Sequence, residues 1–148
     1  MKNLVILIFI TISICLFGCK RPSEGPNYHP TIRVTNLLDK PIYLFGQWIW
    51  PGEPQDPIEP QYAIILNDSK ANRVAPGETN SEALRTHNNA VSYEGMMKNG
   101  TKMRIYYIDG EELDKYSSWQ EVPEGLVIET RMYTLEELRT LDFWITYP

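Results

Sequence analysis

The sequence is poor in cysteine and histidine. It has two cysteines, Cys15 and Cys19, both close to the N-terminus, and two histidines, His29 and His87. A thiolate metal site or a disulfide framework in the body of the chain is therefore excluded. There is no HExxH, CxxC, GxGxxG, Walker loop or GxSxG pattern, so no cofactor is implied and the common metal, nucleotide and serine-hydrolase motifs are missing. An excess of positive charge is lacking as well. The formal net charge is −5, which argues against nucleic acid as a partner and against an electrostatic grip on anionic lipid. One long apolar run occurs, Leu4 to Phe17, interrupted by Thr11 and Ser13. It is shorter than the roughly 20 residues a spanning helix needs. Internal repeats and low-complexity blocks are absent.

What is present begins at the N-terminus. Met1-Lys2-Asn3 is a short basic start, the apolar run follows, and Gly18 closes it. That order is a secretory signal, assigned to residues 1–18. Leu16-Phe17-Gly18-Cys19 resembles the lipobox, in which a signal peptidase cuts before a cysteine that carries diacylglycerol; Phe17 is a less usual residue in that pattern. The resemblance implies that Cys19 is the lipidated first residue of the mature protein. It also accounts for a lone thiol in an exported chain. Two or more acyl chains, at about 0.8 kcal/mol per buried CH₂, would hold the protein firmly to a membrane without spanning it. Lys20, rather than an aspartate, follows the cysteine. By resemblance to lipoprotein sorting rules, the expected address is the outer membrane, on its periplasmic or cell-surface face.

After the leader, one domain's worth of chain remains. Of the 14 basic residues only Lys2 is lost with the leader, leaving 13 against 19 acidic and a net charge of −6. Residues 19–30 are expected to form a lipidated tether, its KRPSEGPNYHP stretch rich in proline, with His29 solvated within it. Residues 31–148 are expected to form a single domain. Thr31 to Thr35 alternates as a half-buried strand does. Ile42 to Trp50 is apolar on both faces, as a central strand is, with Gly46 as a place for a bulge. Pro51 to Pro60 holds four prolines and reads as a stiff loop. Ala63 to Leu66 suits either a strand or a helical turn. Pro76-Gly77 suits a type II turn, and Asn99-Gly100 a hairpin into a strand with Met103, Ile105 and Tyr107 on one face. A short helix is expected within Glu111 to Trp119 and a strand over Leu126 to Tyr133.

The clearest local pattern comes near the C-terminus. Thr134-Leu135-Glu136-Glu137 fits a capping box, Tyr133 and Leu138 a hydrophobic staple, and Leu135, Leu138 and Leu141 share a helical face. Phe143, Ile145 and Tyr147 then alternate with Trp144 and Thr146. The fold class expected is mainly β: an antiparallel β-sandwich-like domain with one or two short helices near the C-terminus.

Residues 127–148, VIETRMYTLEELRTLDFWITYP, resemble the ending of a group of small lipoproteins of Gram-negative gut anaerobes. The matching positions are Arg131, Tyr133, the Thr134–Leu138 helix and Trp144-Ile145-Thr146-Tyr147-Pro148. Ile32 to Asn36, Lys40 to Tyr43 and Trp50-Pro51 look similar too. Asp142-Phe143-Trp144 departs from the asparagine the group more often has before the tryptophan. The group has no assigned activity, so the resemblance implies an anchor and an element order but no catalytic or binding residues.

Candidates for chemistry are few. His87 lies in a polar loop, Thr86-His87-Asn88-Asn89, and the plainer reading is a solvated side chain. Carboxylate catalysis needs two acids at a set separation. Glu53, Asp56, Glu59, Glu111, Glu112 and Asp114 are available, all in loops or helix starts where surface acids are ordinary. The stronger constellation is aromatic. Trp48 and Trp50 precede the proline loop and Tyr62 follows it, a set able to stack on sugar rings or anchor a partner protein. A central strand buries both faces, so core positions for Trp48 and Trp50 are the plainer alternative. The function expected is a non-enzymatic envelope binding or interaction module with a protein or glycan partner. The alternatives are a periplasmic inhibitor or immunity-like protein using the Pro51–Pro60 loop, and a carboxylate-based glycan-active enzyme. We expect wild-type protein to take up palmitate and pellet with membranes, and Cys19→Ser to do neither. An unlabelled, soluble wild type would refute the lipid anchor.

Overall fold

The computed structural model describes residues 27–56, 60–67, 69–86 and 91–148. The expected leader and Cys19 lie outside the described residues, as do Glu59 and His87.

The fold is mainly β, two sheets packed face to face with short helices around them. The strands are β1 (Arg33–Asn36), β2 (Ile42–Ile49), β3 (Arg73–Val74), β4 (Thr79–Asn80), β5 (Lys102–Asp109), β6 (Val127–Tyr133) and β7 (Trp144–Tyr147). The smaller sheet runs β4-β1-β7 and the larger β3-β2-β5-β6. Most pairs are antiparallel, but β1 and β7 are parallel, with Val34 opposite Ile145 and Asn36 opposite Tyr147. The wholly antiparallel expectation is corrected there. Parallel neighbours need a long crossover, and nearly the whole domain serves as that crossover.

Period-2 alternation explains the main core. Ile32 and Val34 from the β1 segment and Ile145 and Tyr147 from β7 face Ile42 and Leu44 of β2 and Met103, Ile105 and Tyr107 of β5. Tyr107 and Tyr147 stack across the sheets, ring centroids 3.9 Å apart. The alternate residues of the larger sheet, Tyr43, Tyr106 and Ile108, form a second cluster. It is covered by Tyr62 and Ile65 of helix α1 (Tyr62–Asn67) and by Leu113. This second cover is why Ile42 to Ile49 is apolar on both faces.

Helix is more widely distributed than expected. Besides α1 there are α2 (Ser69–Asn72), α3 (Tyr93–Met97), α4 (Gly110–Leu113), a 3-10 turn (Trp119–Glu121) and α5 (Leu135–Thr140). Thr134 caps α5 as expected: its hydroxyl accepts the Glu137 N–H and Glu137 reaches back to the Thr134 N–H, 2.7 Å. The staple pair Tyr133 and Leu138 is buried together. Leu141, in contrast, is exposed, because the helix has already ended. Pro76-Gly77 forms its turn, with the Glu78 N–H bonded to the Ala75 carbonyl and Gly77 at φ +73°. Asn99-Gly100 is not a hairpin. It ends α3, with the Gly100 N–H on the Met97 carbonyl, and leads into β5.

Gly46 is not bulged; the β2–β5 register runs through it unbroken, and the irregularity falls at Tyr107/Ile108 against β6. The glycine is needed for packing instead. A Cβ there would meet the side-chain ends of Met103 and Leu84. Gly110 is less forgiving, because its Cβ would lie 2.6 Å from the backbone oxygen of Pro41. Side-chain ends can turn away and backbone cannot. We expect Gly110→Ala to cost about 1–3 kcal/mol, and Gly46→Ala distinctly less, in urea denaturation. Equal losses would count against this packing.

Candidate functional site

The aromatic constellation expected from sequence is divided by the larger sheet. Trp48 points to the inter-sheet side, half-buried, and packs on Tyr93, ring centroids 5.2 Å apart. Tyr62 is on the opposite side, 8% exposed, in the second cluster. Trp50 lies just past β2 and is 46% exposed; its backbone N–H donates to Glu53 Oε2, 2.9 Å. The three do not form one surface.

Trp48 instead borders a cavity of about 390 Å³. Strand β3 is two residues long and pairs only with Ile42 and Tyr43 of β2. Over Gly46 and Trp48 that strand edge has no paired strand among the described residues, and the cavity opens beside it. Its walls include Gly46, Trp48, Leu84, Tyr93, Met96 and Met103, with Arg85 and Thr86 at the polar margin. Helix α3 supplies Tyr93 and Met96. The N-cap Ser92 accepts the Gly95 N–H at 3.2 Å, and the Tyr93 hydroxyl donates to the Leu84 carbonyl at 2.7 Å. Burial holds the Tyr93 phenol well above its ordinary pKa, so it stays a neutral donor. The size is that of a small-ligand pocket, apolar with few polar groups. Sequence reasoning missed its α3 wall, although Ser92-Tyr93-Glu94-Gly95 carries a usable N-cap serine.

Three of the described acid candidates make local contacts. Asp114 accepts the Tyr43 hydroxyl (2.7 Å) and the Arg73 guanidinium (2.9 Å). Burial, with that bond to Asp114, pushes the Tyr43 phenol up to about 12. Glu112 pairs with Lys115 at 2.6 Å, and Glu53 holds the Trp50 turn. Asp56 and Glu111 are exposed. Among the described residues no group of His, Cys, Asp and Glu is placed to hold a metal ion, and no helix is long and apolar enough to cross a membrane. Behind the proline loop sits Arg104, 1% exposed and with no carboxylate partner among the described residues. Its guanidinium donates to Gln47 Oε1 (3.2 Å), to the Asp56 carbonyl (2.9 Å) and to the Gln55 carbonyl, while Nε is unpartnered. A buried cation thus ties the loop to the sheet.

His29 is docked onto the domain, contrary to the solvated tether residue expected. Its Nδ1 lies 2.5 Å from Glu94 Oε1, and its backbone N–H donates to Glu94 Oε2 at 3.0 Å. Its ring stacks on Phe143 at 4.1 Å. The following Pro30 carbonyl accepts the Thr86 N–H, 2.7 Å. Ordered packing therefore begins before Thr31. Phe143 and the preceding Asp142 both have left-handed backbone, φ +53° and +50°. For non-glycine residues that conformation is strained and persists only where packing fixes it. The buried Phe143 ring under His29 does so. The His–Glu pair, with the Ser92 side chain also bonded to Glu94, joins the segment before β1 to α3.

Comparison with family models, curated proteins and solved structures gives no match for this chain.

Desolvation pushes the Glu94 carboxyl up, but bonds from His29, from its own backbone N–H and from Ser92 outweigh it and hold the pKa below the ordinary value. A depressed folded pKa contributes stability that is full above the unfolded value, about 4.5, and is lost as pH falls through the folded one. We expect Glu94→Gln to cost about 1–3 kcal/mol at pH 7. The gap to wild type should narrow as pH drops below about 4.5, read by denaturant titration at several pH values. A gap that does not change with pH would show that the Glu94 charge is not what matters.

Proposed function

We propose that this chain is a lipid-anchored, non-enzymatic binding module of the outer membrane, tethered through Cys19. The cavity beside Trp48 takes a ring-sized apolar group of the ligand. The observation that carries the reading is that cavity: about 390 Å³, walled by Trp48, Tyr93, Met96 and Met103. Methionine and aromatic walls favour flat apolar groups through dispersion and sulfur–ring contacts. The engagement of Glu53, Glu112 and Asp114 in local contacts supports a binder over a carboxylate enzyme. The small lipoproteins that the C-terminal segment resembles fit the same reading of the anchor.

One observation favours a second reading, an inhibitor or immunity-like protein. The exposed loop after Trp50 is fixed from beneath by Arg104, and a pre-ordered loop loses little entropy on docking to a partner protein.

The first reading is tested with indole as probe and full-length protein in detergent. Indole is expected to raise the melting temperature saturably, as a ligand that binds only the folded state must. Ala83→Phe, which fills the cavity from its wall, should melt near wild type and lose the indole response. No shift in wild type, or an equal shift in Ala83→Phe, would remove the Trp48 cavity as a binding site.

A further inference from the structure

Of the four tryptophans, Trp119 is the most exposed, at 51%. Trp48 packs on Tyr93. Trp144 donates its indole N–H to Thr35 Oγ1 at 2.7 Å and lies under Arg33. The Trp119 indole has no ring contact or hydrogen bond among the described residues. It is carried on a 3-10 turn with no buried residue, so burial does not account for it. A single exposed tryptophan is ordinary surface, but this one forms the wall of a cleft of about 460 Å³. Tyr62 and Val122 provide an apolar floor, and Gln61, Gln120 and Glu124 stand at the rim. The floor is rigid, because Tyr62 is packed with Ile65 and Leu113 in the second cluster. The rim is oriented too. The Ser118 hydroxyl donates to Gln120 Oε1, which keeps a second lone pair, and the amide NH₂ has no partner among the described residues.

These parts match one ligand chemistry closely. A pyranose ring has an apolar C–H face, which an indole covers, and an edge of hydroxyls, each both donor and acceptor. The Gln61 and Gln120 amides and the Glu124 carboxylate supply both roles beside the indole. Glu124 and the net charge of −5 oppose an anionic sugar. We propose that the Trp119–Tyr62 cleft is a binding site for a neutral glycan, with one pyranose ring stacked on Trp119. It lies on the opposite side of the larger sheet from the Trp48 cavity, so the two sites are independent.

The test is calorimetric titration of full-length protein, held in a detergent without a sugar headgroup, with maltohexaose, cellohexaose, xylohexaose and N-acetylchitohexaose. At least one is expected to bind saturably with Kd at or below about 1 mM, and Trp119→Ala to weaken it at least about tenfold. Gln120→Ala should weaken it less, and Trp50→Ala and Ala83→Phe should leave it unchanged. Because Trp119 is exposed, its variant should melt with wild type; should it not, Gln120→Ala carries the test. Absence of binding to all four, or binding that survives Trp119→Ala and Gln120→Ala, would overturn the proposal. So would competition for the cleft by an apolar peptide but by none of the sugars. Failure of the indole test leaves this result standing, and the reverse also holds.

Discussion

The parallel pairing of β1 with β7 is the constraint on which the domain depends. It joins the first strand to the last, with Arg33 opposite Trp144 and Asn36 opposite Tyr147. Everything between has to fold over and return before β7 can dock. Once it docks, Val34, Ile145 and Tyr147 present one apolar face to the larger sheet, and the Tyr107–Tyr147 stack sits at the join. The His29 joint depends on the same closure. Its ring rests on Phe143, the residue that delivers the chain into β7.

The two candidate sites follow from the larger sheet having covers of unequal extent. On the inner side the smaller sheet and α3 close over most of β2 and β5, and the Trp48 cavity remains where β3 stops short. On the outer side the covering elements are short helices and turns, and they meet imperfectly. The Tyr62–Trp119 cleft is such a meeting place. Strand alternation assigns Trp48 to one side and the neighbours of Tyr62 to the other. A sequence separation of a few residues around a proline loop says nothing of this.

Patterns that act within a few residues were legible before the structure. The capping box at Thr134 and Glu137, the Pro76-Gly77 turn and the two-faced apolar run of β2 each express a local rule, and each is present. What was not legible depends on distant partners. Asn99-Gly100 has hairpin chemistry, but its positive-φ glycine serves as well to end a helix, and only the fate of Tyr93–Met97 decides between them. Local sequence puts His29 in a proline-rich stretch, and its partners Glu94 and Phe143 are far along the chain. Trp119 was placed at the end of a short helix; its cleft exists only because α1 arrives from the other side of the sequence. Parallel β1–β7 contact leaves no trace in the periodicity of either strand, since both kinds of pairing use the same alternation.

That pairing also sets how the domain bears load. Because β1 and β7 run the same way, the start of β1 and the end of β7 lie at opposite ends of the shared ladder. Tension applied between the segment entering β1 and the segment leaving β7 therefore pulls the strands along their length. The bonds between them are loaded together rather than opened one after another. A force along that line meets the β1–β7 pair in shear, and its bonds yield together.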